Sequence, residues 1–177
     1  MSFSLHIERL ILRPLRPGDA PVLAAYRNDP AVARYQGWTL PYTAQDAEEL
    51  IAEMAGRVPG DPGWVQIGLE HRDTCALIGD VALNTGERQA ELGVTLCAAA
   101  QGQGYAQEGL RALVAHAFGP LNLQQLRAEI DPRNVAVTRL LLALGFRHLS
   151  TTYGSYQNRG EWTDNAVYTL RREEKLN

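Results

Sequence analysis

The chain has 177 residues, with 17 Lys and Arg against 20 Asp and Glu, a formal net charge of -3 and 45% apolar residues. A chain this long can bury a core without staples, and it reads as one domain over residues 1–177, while the slight acidity excludes the basic stripe of a duplex nucleic-acid binder. Cys75 and Cys97 lack metal-ligand spacing and are too few for a disulfide scaffold, so both read as packing residues in a reducing compartment. The first residues show no basic-then-apolar leader, and no apolar run nears the roughly 18 residues that cross a bilayer. A soluble, cytoplasmic protein with no membrane partner is expected.

In chain order, Leu5, Ile7, Leu10 and Leu12 mix with polar residues as in one strand, closed by the Pro-rich residues 13–18. Asp19 has the chemistry of an N-cap for a short helix to about Tyr26, and Asn28-Asp29-Pro30 breaks the chain there. Thr43 reads as a second N-cap with Asp46 three residues on. Ala47, Leu50, Ile51 and Met54 then follow helical spacing up to Gly56. Pro59-Gly60-Asp61-Pro62-Gly63 is a strong loop signal. After it come alternating Val65, Ile67 and Leu69, a run over 77–83, and another over 90–96, which together predict an antiparallel meander.

Next stands Gln101-Gly102-Gln103-Gly104-Tyr105-Ala106, a glycine turn feeding a helix whose apolar stripe is Ala106, Leu110, Leu113, Val114, Ala117 and Phe118. Glycines allow the backbone to curl so that several N–H groups converge where the helix dipole is positive, which is a seat for phosphate. No Lys-Ser/Thr follows, and the third Gly of a dinucleotide fingerprint is missing, so a diphosphate ligand of another kind fits better. Taken alone, an ordinary strand-to-helix turn explains the two glycines equally well. Leu126, Ala128 and Ile130 alternate as a strand, residues 135–144 are helical, and residues 162–170 form a last strand before a charged, frayed end over 171–177. The strand-helix-strand crossover implies one parallel pair in an otherwise antiparallel sheet.

The order strand, Gln101-x-x-Gly104-x-Ala106, helix, strand, Asn134, helix, Leu144-Gly145-Phe146 resembles the GNAT superfamily of acyl-CoA-dependent N-acyltransferases. Tyr105-Ala106-Gln107-Glu108, Gly160-Glu161-Trp162-Thr163-Asp164 and Tyr168 are similar to its ribosomal-protein N-acetyltransferase branch. The resemblance implies an α+β fold in α/β/α layers: a mixed, mostly antiparallel sheet of about six to seven strands flanked by about four helices and splayed at the acyl-CoA cleft. It also implies acetyl-CoA as co-substrate, no metal, direct transfer in a ternary complex, and a primary amine acceptor that is either a protein N-terminal α-amine or a small molecule. A homodimer would suit this branch.

Carried onto this chain, the resemblance puts the pyrophosphate on Gln101, Gly102, Gln103, Gly104, Tyr105 and Ala106. It sets the pantetheine arm along Val94 and Leu96, with a backbone N–H there as oxyanion donor. Asn134 would bond that arm, although its chemistry equally makes it the N-cap of the next helix. Arg139, with Arg133 beside it, could reach phosphates or lie on a solvated face. Strand alternation puts Leu92, Val94 and Leu96 on one face and Glu91 and Thr95 on the other, so Glu91 is the candidate base or else an ordinary surface carboxylate. Trp38 falls in the loop that builds the acceptor pocket, as a substrate wall or as packing.

The chain departs from its apparent relatives in the proton-transfer groups. Val137 stands where the branch often has a serine, Leu141 where other branches have a tyrosine, and Tyr156 where some ribosomal-protein acetyltransferases have a carboxylate. Tyr153, Tyr156 and Tyr168 are phenols that could donate instead, with Tyr156 the chosen candidate. His116 and His148 have no partner at metal-ligand spacing and read as surface or core-edge residues. The departures leave open a catalytically weak acyl-CoA-binding module.

Overall fold

The computed structural model describes residues 3–175. Strands β1 (Leu5–His6), β2 (Leu10–Pro14), β3 (Gly63–His71), β4 (Leu77–Thr85), β5 (Gln89–Leu96), β6 (Gln125–Ile130), β7 (Arg147–Asn158) and β8 (Glu161–Arg171) form one sheet, in the order β1-β2-β3-β4-β5-β6-β8-β7. Helices α1 (Ala20–Asn28), α2 (Pro30–Ala33), α3 (Ala44–Met54), α4 (Tyr105–Phe118), α5 (Val135–Ala143) and α6 (Arg172–Lys175) complete it. All strand pairs are antiparallel except β5 with β6.

Alternation along the central strands builds two cores. Val81 and Leu83 of β4, with Leu92 and Leu96 of β5, pack against Leu110, Leu113, Val114 and Ala117 of α4. On the opposite side, Leu15 and Leu77 meet Leu23, Ala24 and Tyr26 of α1 and Ala47 and Ile51 of α3. The α3 stripe is the one read from the sequence, and its start is the expected capping box: Asp46 N–H donates to Thr43 Oγ1 at 3.1 Å and Thr43 N–H to Asp46 Oδ2 at 2.6 Å.

The parallel pairing of β5 with β6 runs only from Gln89↔Gln125 to Glu91↔Arg127. Beyond that register the strands part, which opens the sheet from Leu92 onward on one side and from Ala128 onward on the other. Helix α5 follows β6 and ends in a Schellman turn. Phe146 N–H bonds Leu141 O and Gly145 N–H bonds Leu142 O, with Gly145 at φ +92°, so Phe146 is driven into the core.

Several expectations need correction. The predicted first strand is a hairpin, with Leu5 opposite Leu12. Asp19 does not cap α1: its carboxylate is taken by Arg13 and by the N–H of Arg16, an ion pair having outcompeted the helix end. The break at Asn28-Asp29-Pro30 is real, but the chain restarts as α2, capped by Asp29 on Ala31 N–H. Strand β7 was not read at all. Its twelve residues are almost all exposed, so no apolar period marks it, and it is held by pairing with β8. The tail expected to fray forms the short α6 over Arg172–Lys175, while Met1, Ser2, Leu176 and Asn177 lie outside the described residues. The strand count is thus eight against six to seven.

Candidate active site

Three cavities of about 660, 80 and 480 Å³ meet beside β5, and Gln36 and Val94 line all of them. The largest follows the path expected for a nucleotide-linked thioester. It is lined by Val94 and Leu96 of β5, by Gln101, Gly102, Gly104, Tyr105 and Ala106 of the glycine turn, and by Asn134, Val137, Arg139 and Leu140 of α5 and its cap. Gln103 alone of the proposed cofactor residues is turned away, its amide donating to Ala99 O at 2.8 Å.

The glycine turn has the conformation its sequence demands. Gly102 and Gly104 sit at φ +73° and +82°, values that side chains resist, and Gly104 begins α4 with no side-chain cap on the first N–H groups. Arg9 fixes this turn from behind. Its Nε and backbone N–H hold the two Glu108 oxygens at 2.7 Å, Nη1 holds Gln103 O at 2.9 Å, and the guanidinium lies 4.4 Å from the Tyr105 ring centroid. The uncapped helix start is therefore rigid and open to an anion.

On β5 the backbone groups of alternate residues face the split. Val94 O accepts from Gln36 Nε2 at 3.5 Å and Leu96 O accepts from Gln101 Nε2 at 3.2 Å, whereas Cys97 N–H bonds Ile78 O on the β4 side. A chain of amides laid in the split can pair with that edge. Asn134, which lines the cavity, plays the capping role, its Oδ1 accepting from Val137 N–H at 3.4 Å, so that its Nδ2 keeps its donor capacity. Together these residues fit the diphosphate and the amide-bearing arm of acetyl-CoA. Among the described residues no cluster of three or more His, Cys, Asp or Glu could hold a metal ion, and no helix is long and apolar enough to cross a membrane.

The 480 Å³ cavity opens on the other face of Val94. Trp38, Leu50, Met54 and Trp64 form its walls, Ala82 and Gly93 its floor, and Arg27, Glu53, Gln66 and Asp80 its polar positions. Trp38, among those walls, is clamped by its Nε1 donating to Arg27 O at 2.9 Å. Arg27 sits between the rings of Trp38 and Tyr42, 4.6 and 5.0 Å from their centroids, and pairs with Asp80 at 3.6 Å.

Glu91 does not line any of the three cavities. It stands on the Gly93 and Thr95 face of β5, one strand repeat short of the floor, opposite Arg127. Burial, and then the neighbouring Glu129 carboxylate, push its pKa above the ordinary glutamate value, with Arg127 opposing. Tyr156 is also outside the lining residues, its hydroxyl lying against Gly37, 2.9 Å from where a Cβ would be. Tyr35, by contrast, lines the first and second cavities beside Asn134 and Val137. Sequence reasoning missed it, with Gln36, Gln66 and Asp80, because each sits in a loop or strand position that no periodicity marks.

His116 is partly buried, which lowers its pKa, and His148 bonds Thr151 beside the Tyr168 ring; neither lines a cavity. Arg133 is tied to Asp131 and Glu161 at 2.7 and 2.9 Å, leaving Arg139 as the α5 cation on the large cavity.

An open mixed sheet, a strand pair that separates at its centre and an uncapped glycine-led helix beside the gap define an acyltransferase of the acyl-CoA-dependent class. The chain belongs to the GNAT acetyltransferases: residues 9–147 match the family described as "Acetyltransferase (GNAT) domain". It is an N-acetyltransferase of that family. YoaA of Bacillus subtilis, named an uncharacterized N-acetyltransferase, is 30% identical over 169 residues that cover 94% of this chain and 95% of YoaA. Two solved structures share the fold. A ribosomal-protein-S5-alanine acetyltransferase from Vibrio fischeri superposes with a TM-score of 0.84 at 20% identity, covering 97% of each chain. A spermidine N-acetyltransferase from Vibrio cholerae, in complex with CoA and spermine, superposes with a TM-score of 0.82 at 22% identity, covering 96% of this chain and 99% of that one.

Proposed function

We propose that this chain transfers an acetyl group from acetyl-CoA to a primary amine bound in the 480 Å³ cavity, by direct attack in a ternary complex. The observation that carries the reading is the meeting of all three cavities at Gln36 and Val94, so that a thioester in one and an amine in another would be separated only by the residues both cavities share. The first-turn N–H groups of α4, with Arg139, hold the diphosphate. The Val94 and Leu96 edge and Asn134 Nδ2 hold the pantetheine arm, and a backbone N–H at Val94 receives the carbonyl oxygen. Acetyl-CoA supplies an activated acyl carbon.

An alkyl amine is mostly protonated near pH 7 and must lose a proton before it attacks. Glu91 takes that proton through water in the cavity floor, its raised pKa making it a better acceptor than an ordinary surface carboxylate. The amine nitrogen then bonds the acyl carbon, the carbon–sulfur bond breaks, and the thiolate takes a proton to leave as the CoA thiol. Tyr35, which faces the split beside Val137, supports a donor role better than Tyr156, which lies against Gly37.

The test is thiol release from acetyl-CoA in the presence of a panel of small amines and N-terminal peptides, alongside calorimetric binding of CoA. Amine-dependent thiol release with a matching mass gain on the acceptor supports transfer. CoA binding without release for any amine overturns it.

A further inference from the structure

The acceptor cavity carries more information than its position. Its floor is made by the paired residues Ala82 and Gly93, a methyl and a hydrogen that leave the space open, and the Trp64 ring hangs over it with Cζ3 3.9 Å from where a Gly93 Cβ would stand. Its walls are Trp38, Leu50, Met54 and the 41%-exposed Trp64. A flat or apolar body fills such a slot.

The polar groups are unevenly paired. Gln66 Oε1 is buried without a hydrogen-bond partner, an acceptor awaiting a donor. Asp80, only 3% exposed, receives the Tyr26 hydroxyl on one oxygen and has only the 3.6 Å Arg27 contact on the other. Glu53 adds an exposed carboxylate at the rim. Against these acceptors stands one cation, Arg27, held by Asp80 and by the Trp38 and Tyr42 rings. Its Nε is buried and unpartnered, enough for one neutral oxygen on a ligand. A carboxylate brought there would also face Asp80 and Glu53, with no second cation among the residues that line the cavity.

We infer that the acceptor is a small primary amine on a flat apolar body bearing no carboxylate or phosphate, its N–H groups received by Gln66 Oε1 and Asp80 and its body held between Trp38 and Trp64. This rests on the transfer reading above. The amine gives up a proton and becomes the amide, with CoA thiol as the second product. An α-amino acid or an anionic sugar amine would place its negative charge against two carboxylates.

The experiment compares phenethylamine and tyramine with phenylalanine and tyrosine, pairs that differ only by the α-carboxylate, and adds an N-terminal alanine peptide. Thiol release and CoA binding are measured on the full chain. The decarboxylated amines should show at least about tenfold higher kcat/KM than their amino acids, because like charges are brought together in a partly desolvated site. Gln66→Leu should raise the phenethylamine KM about tenfold while CoA affinity holds. The exposed Glu53→Lys, safe for folding, should cut the preference against tyrosine to about threefold or less. Equal or better use of the amino acids, or a peptide preferred over every small amine, overturns the inference and leaves the transfer reading standing. No thiol release with any acceptor, while CoA still binds, removes both.

Discussion

Gln36 Nε2 donates to Val94 O at 3.5 Å, where the 660 and 480 Å³ cavities meet. The loop carrying Gln36 is held from behind by the tip of the β7–β8 hairpin. Arg159 Nη1 and Nη2 bond Ala33 O at 2.8 Å and Trp38 O at 2.9 Å, and Asn158 Nδ2 bonds Gln36 O at 3.3 Å. Both walls of the amine path therefore depend on one exposed arginine.

Arg159→Ala should release residues 33–38 without unfolding the chain, because it is a surface residue whose bonds go to loop carbonyls. The amine KM should rise about five- to tenfold, as expected for lost positioning, while CoA affinity changes little. Steady-state kinetics with calorimetry checks this, and an unchanged KM would show that the hairpin tip does not support the site.

Gly104→Val should cost CoA affinity about a hundredfold or more. A β-branched residue at φ +82° is strained, and its Cβ would come within 3.3 Å of Arg9 Nη2, displacing the residue that fixes the turn. Calorimetric titration with CoA reads the effect, with circular dichroism confirming that the helices remain.

Glu91→Gln should lower kcat about a hundredfold. Because burial and Glu129 raise the Glu91 pKa, the basic form grows as pH rises through a value above the usual 4.3 or so for glutamate. The wild-type acid limb of kcat/KM should accordingly sit above that value and vanish in the variant. Wild-type kinetics from Glu91→Gln would strike it from the mechanism and turn attention to Asp80, which lines the cavity itself.

Arg13 is 4% exposed and binds Asp19 at 2.7 Å and Glu70 at 2.5 Å, joining β2, β3 and the start of α1. Arg13→Met strands two buried carboxylates and should cost about 3–5 kcal/mol, read from urea unfolding. Burial raises the Asp19 pKa, but the Arg13 and Arg16 hydrogen bonds outweigh it and leave the value depressed. Its contribution is thus present above the unfolded carboxylate pKa near 4 and is lost as pH falls through the folded one. Wild-type stability should drop below about pH 4, and the drop should be shallower in Arg13→Met.

The lining of the 660 Å³ cavity was legible because much of it is local. A turn of Gly102 and Gly104 before an amphipathic helix, Asn134 at the next cap and Gly145-Phe146 at its end are contiguous segments with backbone requirements that only a few residue types meet. Thr43 and Asp46 belong to the same class. Strand β7 was invisible for the opposite reason: its polar, exposed residues carry no period, and only β8 beside it makes it a strand.

By itself the sequence determined the antiparallel meander, the parallel crossover and the glycine-led helix start, since periodicity and glycine conformations act over a few residues, and the order of its motifs carried the resemblance to the GNAT family. Tertiary structure alone decided the 480 Å³ cavity. Gln36, Trp38, Glu53, Gln66, Asp80 and Gly93 come from five separate segments, and Asp19 left its helix end for Arg13. Charge pairing, and the empty volume above Ala82 and Gly93, exist only once distant strands and loops are packed together, so no reading along the chain could have assembled them.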